Sequence, residues 1–144
     1  MSKRPIIILV IMLLGGVPAI AQKVKYKDIF ALLKSKQYDA AEPLLKKYIE
    51  TETDNPNAYL YLGIIMSEKY AKMGAEGAQA SAVRDEAQDY LVKAKMGITE
   101  KEVSRNEEYY AIYKRRNLRT GKIEVTVSDI VTDIDNRLAR LSGK

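Results

Sequence analysis

Residues 37–50 read QYDAAEPLLKKYIE, and residues 55–63 read NPNAYLYLG. In the first stretch Ala41, Leu44, Leu45, Tyr48 and Ile49 recur at the spacing that lines one side of a helix. Asp39 reads as the N-cap, Glu42 completes a capping box, and Pro43 falls in the first turn, where a missing N–H is tolerated. The second stretch opens another helix. Asn55 is a favourable N-cap, and the fixed φ of Pro56 suits the first helical position. Tyr59, Leu62, Gly63 and Met66 then share a face.

The same punctuation continues outward. Upstream, Tyr26, Ile29, Phe30 and Leu33 form a helical stripe, closed by the polar turn Lys34-Ser35-Lys36-Gln37. Downstream, Gly74 and Gly77 end the second helix. The next carries Ala87, Tyr90, Leu91 and Ala94 on one side, with Gly97 placed as a left-handed C-terminal cap. The order is two helix–turn–helix units end to end.

With Tyr38 at the turn, Ala41 where two helices approach, Pro56, and then Tyr59-x-x-Leu62-Gly63, the chain resembles the tetratricopeptide repeat. Ala87, Tyr90 and Ala94 repeat the second-helix pattern, so the resemblance covers residues 25–97, about two units of the ~34-residue period. Two features depart from that pattern: a long linker, ETETDNPNA, and a Gly/Ala-rich insertion, KMGAEGAQASAV. The resemblance implies a non-catalytic scaffold that holds a peptide or helix in a concave groove, with Asn57, Tyr61 and Lys69 as candidate lining residues. Such arrays need about three units with caps. The C-terminal helix is one candidate cap; a further subunit, making an oligomer, or a partner is the alternative.

Beyond Gly97, Thr99 reads as an N-cap with Glu102 closing a capping box and Ile98 stapled onto Val103. The spacing predicts that this helix runs on to Asn117. Ile123, Val125 and Val127 alternate with Lys122, Glu124 and Thr126, a period-two signal for a short extended segment after a turn at Thr120-Gly121. A last helix follows, capped by Ser128 or by Thr126 with Asp129, and striped by Ile130, Ile134, Leu138 and Leu141. The expected fold class is therefore all-α: about two tetratricopeptide-like hairpins, additional C-terminal helices and a short extended connector.

The chain opens with Lys3 and Arg4, an unbroken apolar run from Ile6 to Leu14, helix-breakers at Gly15, Gly16 and Pro18, and Ala19-Ile20-Ala21. That is the order of a secretory signal peptide cleaved after Ala21. A retained anchor is the alternative, although a spanning helix wants about 20 apolar residues. The expected organisation is thus 1–21 signal peptide, 22–97 helical hairpins and 98–144 C-terminal region, in an exported protein of the periplasm or outer envelope. Removing the leader turns 24 cations into 22 against 19 acids, a mild excess that matters only where it clusters.

The sequence holds no cysteine and no histidine, which excludes disulfides, thiolate chemistry and the commonest general base and metal ligand. No metal-ligand spacing and no phosphate-binding glycine loop is present, so no cofactor or metal is implied and no enzyme is expected. The acid pairs Glu107/Glu108 and Asp133/Asp135 are helix neighbours, which do not face each other. A small hydrolase using Glu107 or Glu108 is the third-ranked reading.

One cluster asks for a function. Tyr109, Tyr110 and Tyr113 stand beside Lys114, Arg115, Arg116, Arg119 and Lys122. Aromatics mixed with arginine suit nucleic acid, but export and the low net charge argue against that partner. The tyrosines sit in segments of helical spacing, with Tyr110 and Tyr113 on one face and Tyr109 turned to another, so a packed helix with a basic flank is expected. A helix end favours one or two cations, not five within nine residues. Tyr109, Tyr113, Lys114, Arg115, Arg116, Arg119 and Lys122 are therefore the candidate docking residues for an acidic envelope protein or peptide. The alternative is an anionic envelope polymer, a cell-wall glycan or lipid headgroups, bound peripherally through the same cations.

Overall fold

The computed structural model describes residues 23–74 and 76–143. The expected leader lies outside the described residues. The architecture is all-α with one small two-stranded arm. Its helices are α1 (Tyr26–Lys34), α2 (Tyr38–Ile49), α3 (Pro56–Met73), α4 (Ala78–Gly97), α5 (Glu100–Arg105) and α6 (Val127–Leu141). A 3-10 helix (Glu107–Tyr113) follows α5, and the strands β1 (Arg115–Arg116) and β2 (Ile123–Glu124) precede α6.

Helix α3 is the centre. Asn55 caps it by accepting the Ala58 N–H at 3.1 Å, and Pro56 occupies its first turn. From Pro56 to Met66 every residue but Tyr59 is buried, because α1 and α2 cover one side while α4 and α6 cover another. The α3–α4 approach depends on Gly63: a Cβ there would lie 2.5 Å from Cδ2 of the fully buried Leu91. Ala87 and Ala94 supply the small side chains facing it. One contiguous core runs from Ile29 and Leu45 through α3 and α4 to Ile98, Val103, Tyr110, Ile130 and Ile134.

Several local expectations hold. Thr99 accepts the Glu102 N–H, and Thr126, not Ser128, caps α6 by accepting the Asp129 N–H, both at 3.2 Å. Ile130, Ile134 and Leu141 are buried as the stripe requires.

Four differ. Helix α2 starts at Tyr38, one residue before the expected cap, so Asp39 is a first-turn acid facing the helix dipole and makes no cap. Glu42 instead pairs with Lys46 at 3.0 Å, and Pro43 lies inside the helix on an exposed side. Gly97 is not a left-handed cap: it stays helical, and a Cβ there would lie 2.6 Å from the Pro56 ring. Glu102 does not reach back to its cap; its carboxylate accepts from the Asn106 amide at 3.0 Å and the Tyr110 hydroxyl at 3.2 Å.

The fourth difference is the largest. The helix beginning at Glu100 stops at Arg105 and never reaches Asn117. Asn106 leaves the helical region, and the chain tightens into the 3-10 helix. Three residues per turn place Tyr110 and Tyr113 above one another, and both rings turn inward. The chain then straightens into β1, paired antiparallel with β2 as Arg115 opposite Glu124 and Arg116 opposite Ile123. The loop between them is closed by Asn117, whose side-chain oxygen accepts the N–H groups of Arg119 and Thr120. Gly121 supplies the positive φ of 72° that the turn requires.

Candidate functional site

The expected docking residues are brought into one region but split into two kinds. Tyr109 is a half-buried packing residue whose ring meets Phe30 at 4.8 Å and Tyr26 at 5.1 Å, both edge to face. Burial first, and the neighbouring Glu108 second, raise its phenol above the ordinary value. The Tyr113 hydroxyl donates to Asp133 at 2.8 Å, and Asp133 also accepts from Arg137. Burial and that carboxylate push the Tyr113 phenol far up. These rings fasten the base of the arm to α1 and α6.

The cations divide as well. Lys114 pairs with Glu107 at 3.3 Å, and Arg115 pairs with Asp129, in the first turn of α6, at 2.6 Å. Neighbouring strand residues point to opposite faces, so Arg116 projects from the other side of the arm beside Ile123. Arg116, Arg119 and Lys122 are exposed and have no ion-pair partner among the described residues. On the same arm Leu118 is 96% exposed, and Ile123 is 65% exposed.

The residues expected to line a groove are dispersed. Asn57 is fully buried: it accepts from the Tyr26 hydroxyl, and its amide donates to the Tyr109 carbonyl at 2.9 Å. Tyr61 is 2% exposed, and burial pushes its phenol up to about 12. Asn57 offers no free polar group to a groove, whereas Tyr61 lines a cleft beside α1. Lys69 is exposed and reaches Glu42 at 3.5 Å. Glu107 and Glu108 are both exposed, and Asp135 pairs with Lys95 at 2.6 Å.

A cleft of about 470 Å³ lies between α1 and the 3-10 helix; of its lining only Tyr61 was expected to face a groove. Phe30, Tyr61 and Tyr109 contribute apolar surface to it, and the 60%-exposed Ile112 stands at its edge. Lys27, Lys34, Lys36 and Lys114 surround it, against the single acid Glu108. The available signal was in α1: Lys27, Ala31 and Lys34 recur at helical spacing, opposite the buried Ile29 and Leu33.

Compared with known proteins, the chain matches no family model, no curated protein and no solved structure.

Proposed function

We propose that this protein is a non-catalytic scaffold or assembly subunit of a bacterial envelope complex, docking an acidic protein partner through the arm of residues 114–124. The observation that carries the reading is the trio Arg116, Arg119 and Lys122, exposed and unpaired among the described residues, on an arm that also exposes Leu118 and Ile123. Guanidinium groups suit carboxylates in bidentate geometry, and apolar side chains on the same arm supply area that leaves water on contact. The tetratricopeptide-like order of the hairpins and the secretory pattern at the N-terminus support a scaffold role in the envelope.

The test is cross-linked affinity capture from intact envelopes, at low and high salt, with an Arg116→Glu/Arg119→Glu variant beside the wild type. A discrete protein set that persists at high salt and disappears with the variant is the expected result. Equal recovery by the variant refutes the docking surface. The same three cations would also neutralise an anionic glycan or lipid headgroup. Binding of that kind weakens steeply with salt, and enrichment of glycan or lipid without protein would put it first.

A further inference from the structure

The lysine-rimmed cleft has a chemistry of its own. Its amines are not gathered at one end. Lys27 and Lys34 are seven residues apart on α1, roughly 10 Å at 1.5 Å per residue, and Lys114 stands on the opposite wall. Attachment points spread that widely are matched best by several acids held along one molecule, which a single headgroup does not supply. An extended chain does, because about three residues at roughly 3.3 Å each cover the same distance. Among the amines lie aromatic surface and the exposed Ile112, a seat for an apolar side chain. The volume of about 470 Å³ suits one such anchor with its flanking backbone.

We infer that this cleft binds a short, extended acidic peptide with an aromatic or branched aliphatic side chain set between its carboxylates. Lys27, Lys34 and Lys36 take the acids, and the anchor lies against Phe30 and Ile112. Lys27 and Lys34 are exposed and have no ion-pair partner among the described residues, so no internal pair must break first. The site meets the arm only at its base, at Lys114, and Arg116, Arg119 and Lys122 do not line it. One wall comes from the 3-10 helix, outside the two helical hairpins.

The experiment is an amide chemical-shift titration of the 15N-labelled protein with a synthetic pentapeptide pool: central Phe, Leu or Trp, flanked on each side by two Asp or Glu. Saturable shifts are expected at Lys27, Ala31, Lys34 and Ile112. Pools with central alanine or with lysine flanks should leave them unmoved. Lys27→Glu/Lys34→Glu should weaken binding by about tenfold or more, since rim charges are reversed at sites that bear no packing. Arg116→Glu/Arg119→Glu should not change it, so failure here is distinct from failure of the arm. Unmoved cleft amides, equal shifts with all pools, or shifts only with phosphatidylglycerol vesicles would each overturn the inference.

Discussion

Replacing Asn57 with alanine tests how the arm is anchored. The Asn57 side chain lies in the core and joins three elements: α3, where it originates, Tyr26 in α1, and the Tyr109 carbonyl in the 3-10 helix. Truncation strands a hydroxyl and a carbonyl. A buried polar group left without its partner costs about 1–3 kcal/mol, so two give roughly 2–6 kcal/mol. Tyr26 is buried and receives the full penalty, whereas Tyr109 is half-buried and its carbonyl can recruit water, so about 3 kcal/mol is expected. That is a large share of a typical 5–15 kcal/mol. Urea unfolding should show the midpoint falling by about 1–3 M at an m-value of about 1–3 kcal/mol/M. Tyr26→Phe completes a double-mutant cycle. In the Asn57→Ala background it removes a hydroxyl already stranded, so the two losses should fall short of additivity by about 1–2 kcal/mol. Hydrogen exchange at residues 107–113 should accelerate first. A loss below about 1 kcal/mol with additive effects would refute the idea that Asn57 bolts the arm to the core.

Gly63→Ala should destabilise by about 1–2 kcal/mol in thermal or urea melts: overpacking against Leu91 costs about 1–3 kcal/mol and outweighs the helix-propensity gain of about 1 kcal/mol. Lys36 holds a φ of 57° in the turn after α1, where Gln37 N–H bonds the Leu32 carbonyl, so Lys36→Gly should stabilise by about 0.5–1 kcal/mol by the same assay. The phenols of Tyr26, Tyr61, Tyr110 and Tyr113 are raised, chiefly by burial. The folded state therefore keeps protons that the unfolded chain releases near pH 10, and stability is full below that pH and falls as pH rises through it. For Tyr61 the loss continues to about 12. Ultraviolet titration of tyrosine ionisation should show these rings titrating together with unfolding; ionisation in a still-folded protein would contradict their burial. Arg116→Glu/Arg119→Glu should change the unfolding midpoint by less than the equivalent of about 0.5 kcal/mol, since neither side chain has a folded-state partner among the described residues.

The helical hairpins were legible because their signals were local. Asn55-Pro56 both opens α3 and begins its buried face, and the stripes on α1, α4 and α6 match the residues that pack. What the sequence hid was set by partners distant along the chain. Gly97 reads as a cap from its neighbours alone, yet its missing Cβ makes room for a proline 41 positions earlier. The Tyr109-to-Arg116 stretch has helical spacing, but burying Tyr110 while carrying the Tyr113 hydroxyl to Asp133 requires the tighter 3-10 period and then a turn outward. Alternation in Ile123–Val127 disclosed one strand of the arm, but only Ile123 and Glu124 pair, and Val127 already opens α6 under the Thr126 cap. The partner strand Arg115–Arg116 is equally short and has no apolar pattern to betray it. The buried amide of Asn57 was invisible for the same reason: at the start of a helix a polar residue ordinarily faces water, and only the arriving 107–113 segment encloses it.

These contacts also fix the geometry of the arm for which a docking role is proposed. Its base is held by hydrogen bonds to three helices: Tyr109 carbonyl with Asn57 of α3, Tyr110 with Glu102 of α5, and Tyr113 with Asp133 of α6. Arg115 pulls the first strand onto α6 through Asp129, and Asn117 ties the two sides together by donating to Glu124 at 2.6 Å. The backbone is thus ordered before any partner arrives, and association need not supply that ordering entropy. The five cations that looked equivalent along the chain are consequently unequal. Lys114 and Arg115 hold the arm in place, whereas Arg116, Arg119 and Lys122 are presented by it. Reversing Arg115 would disturb the arm and its charge together. Reversing Arg116 and Arg119 changes the charge alone, which makes that pair the discriminating test of a docking role.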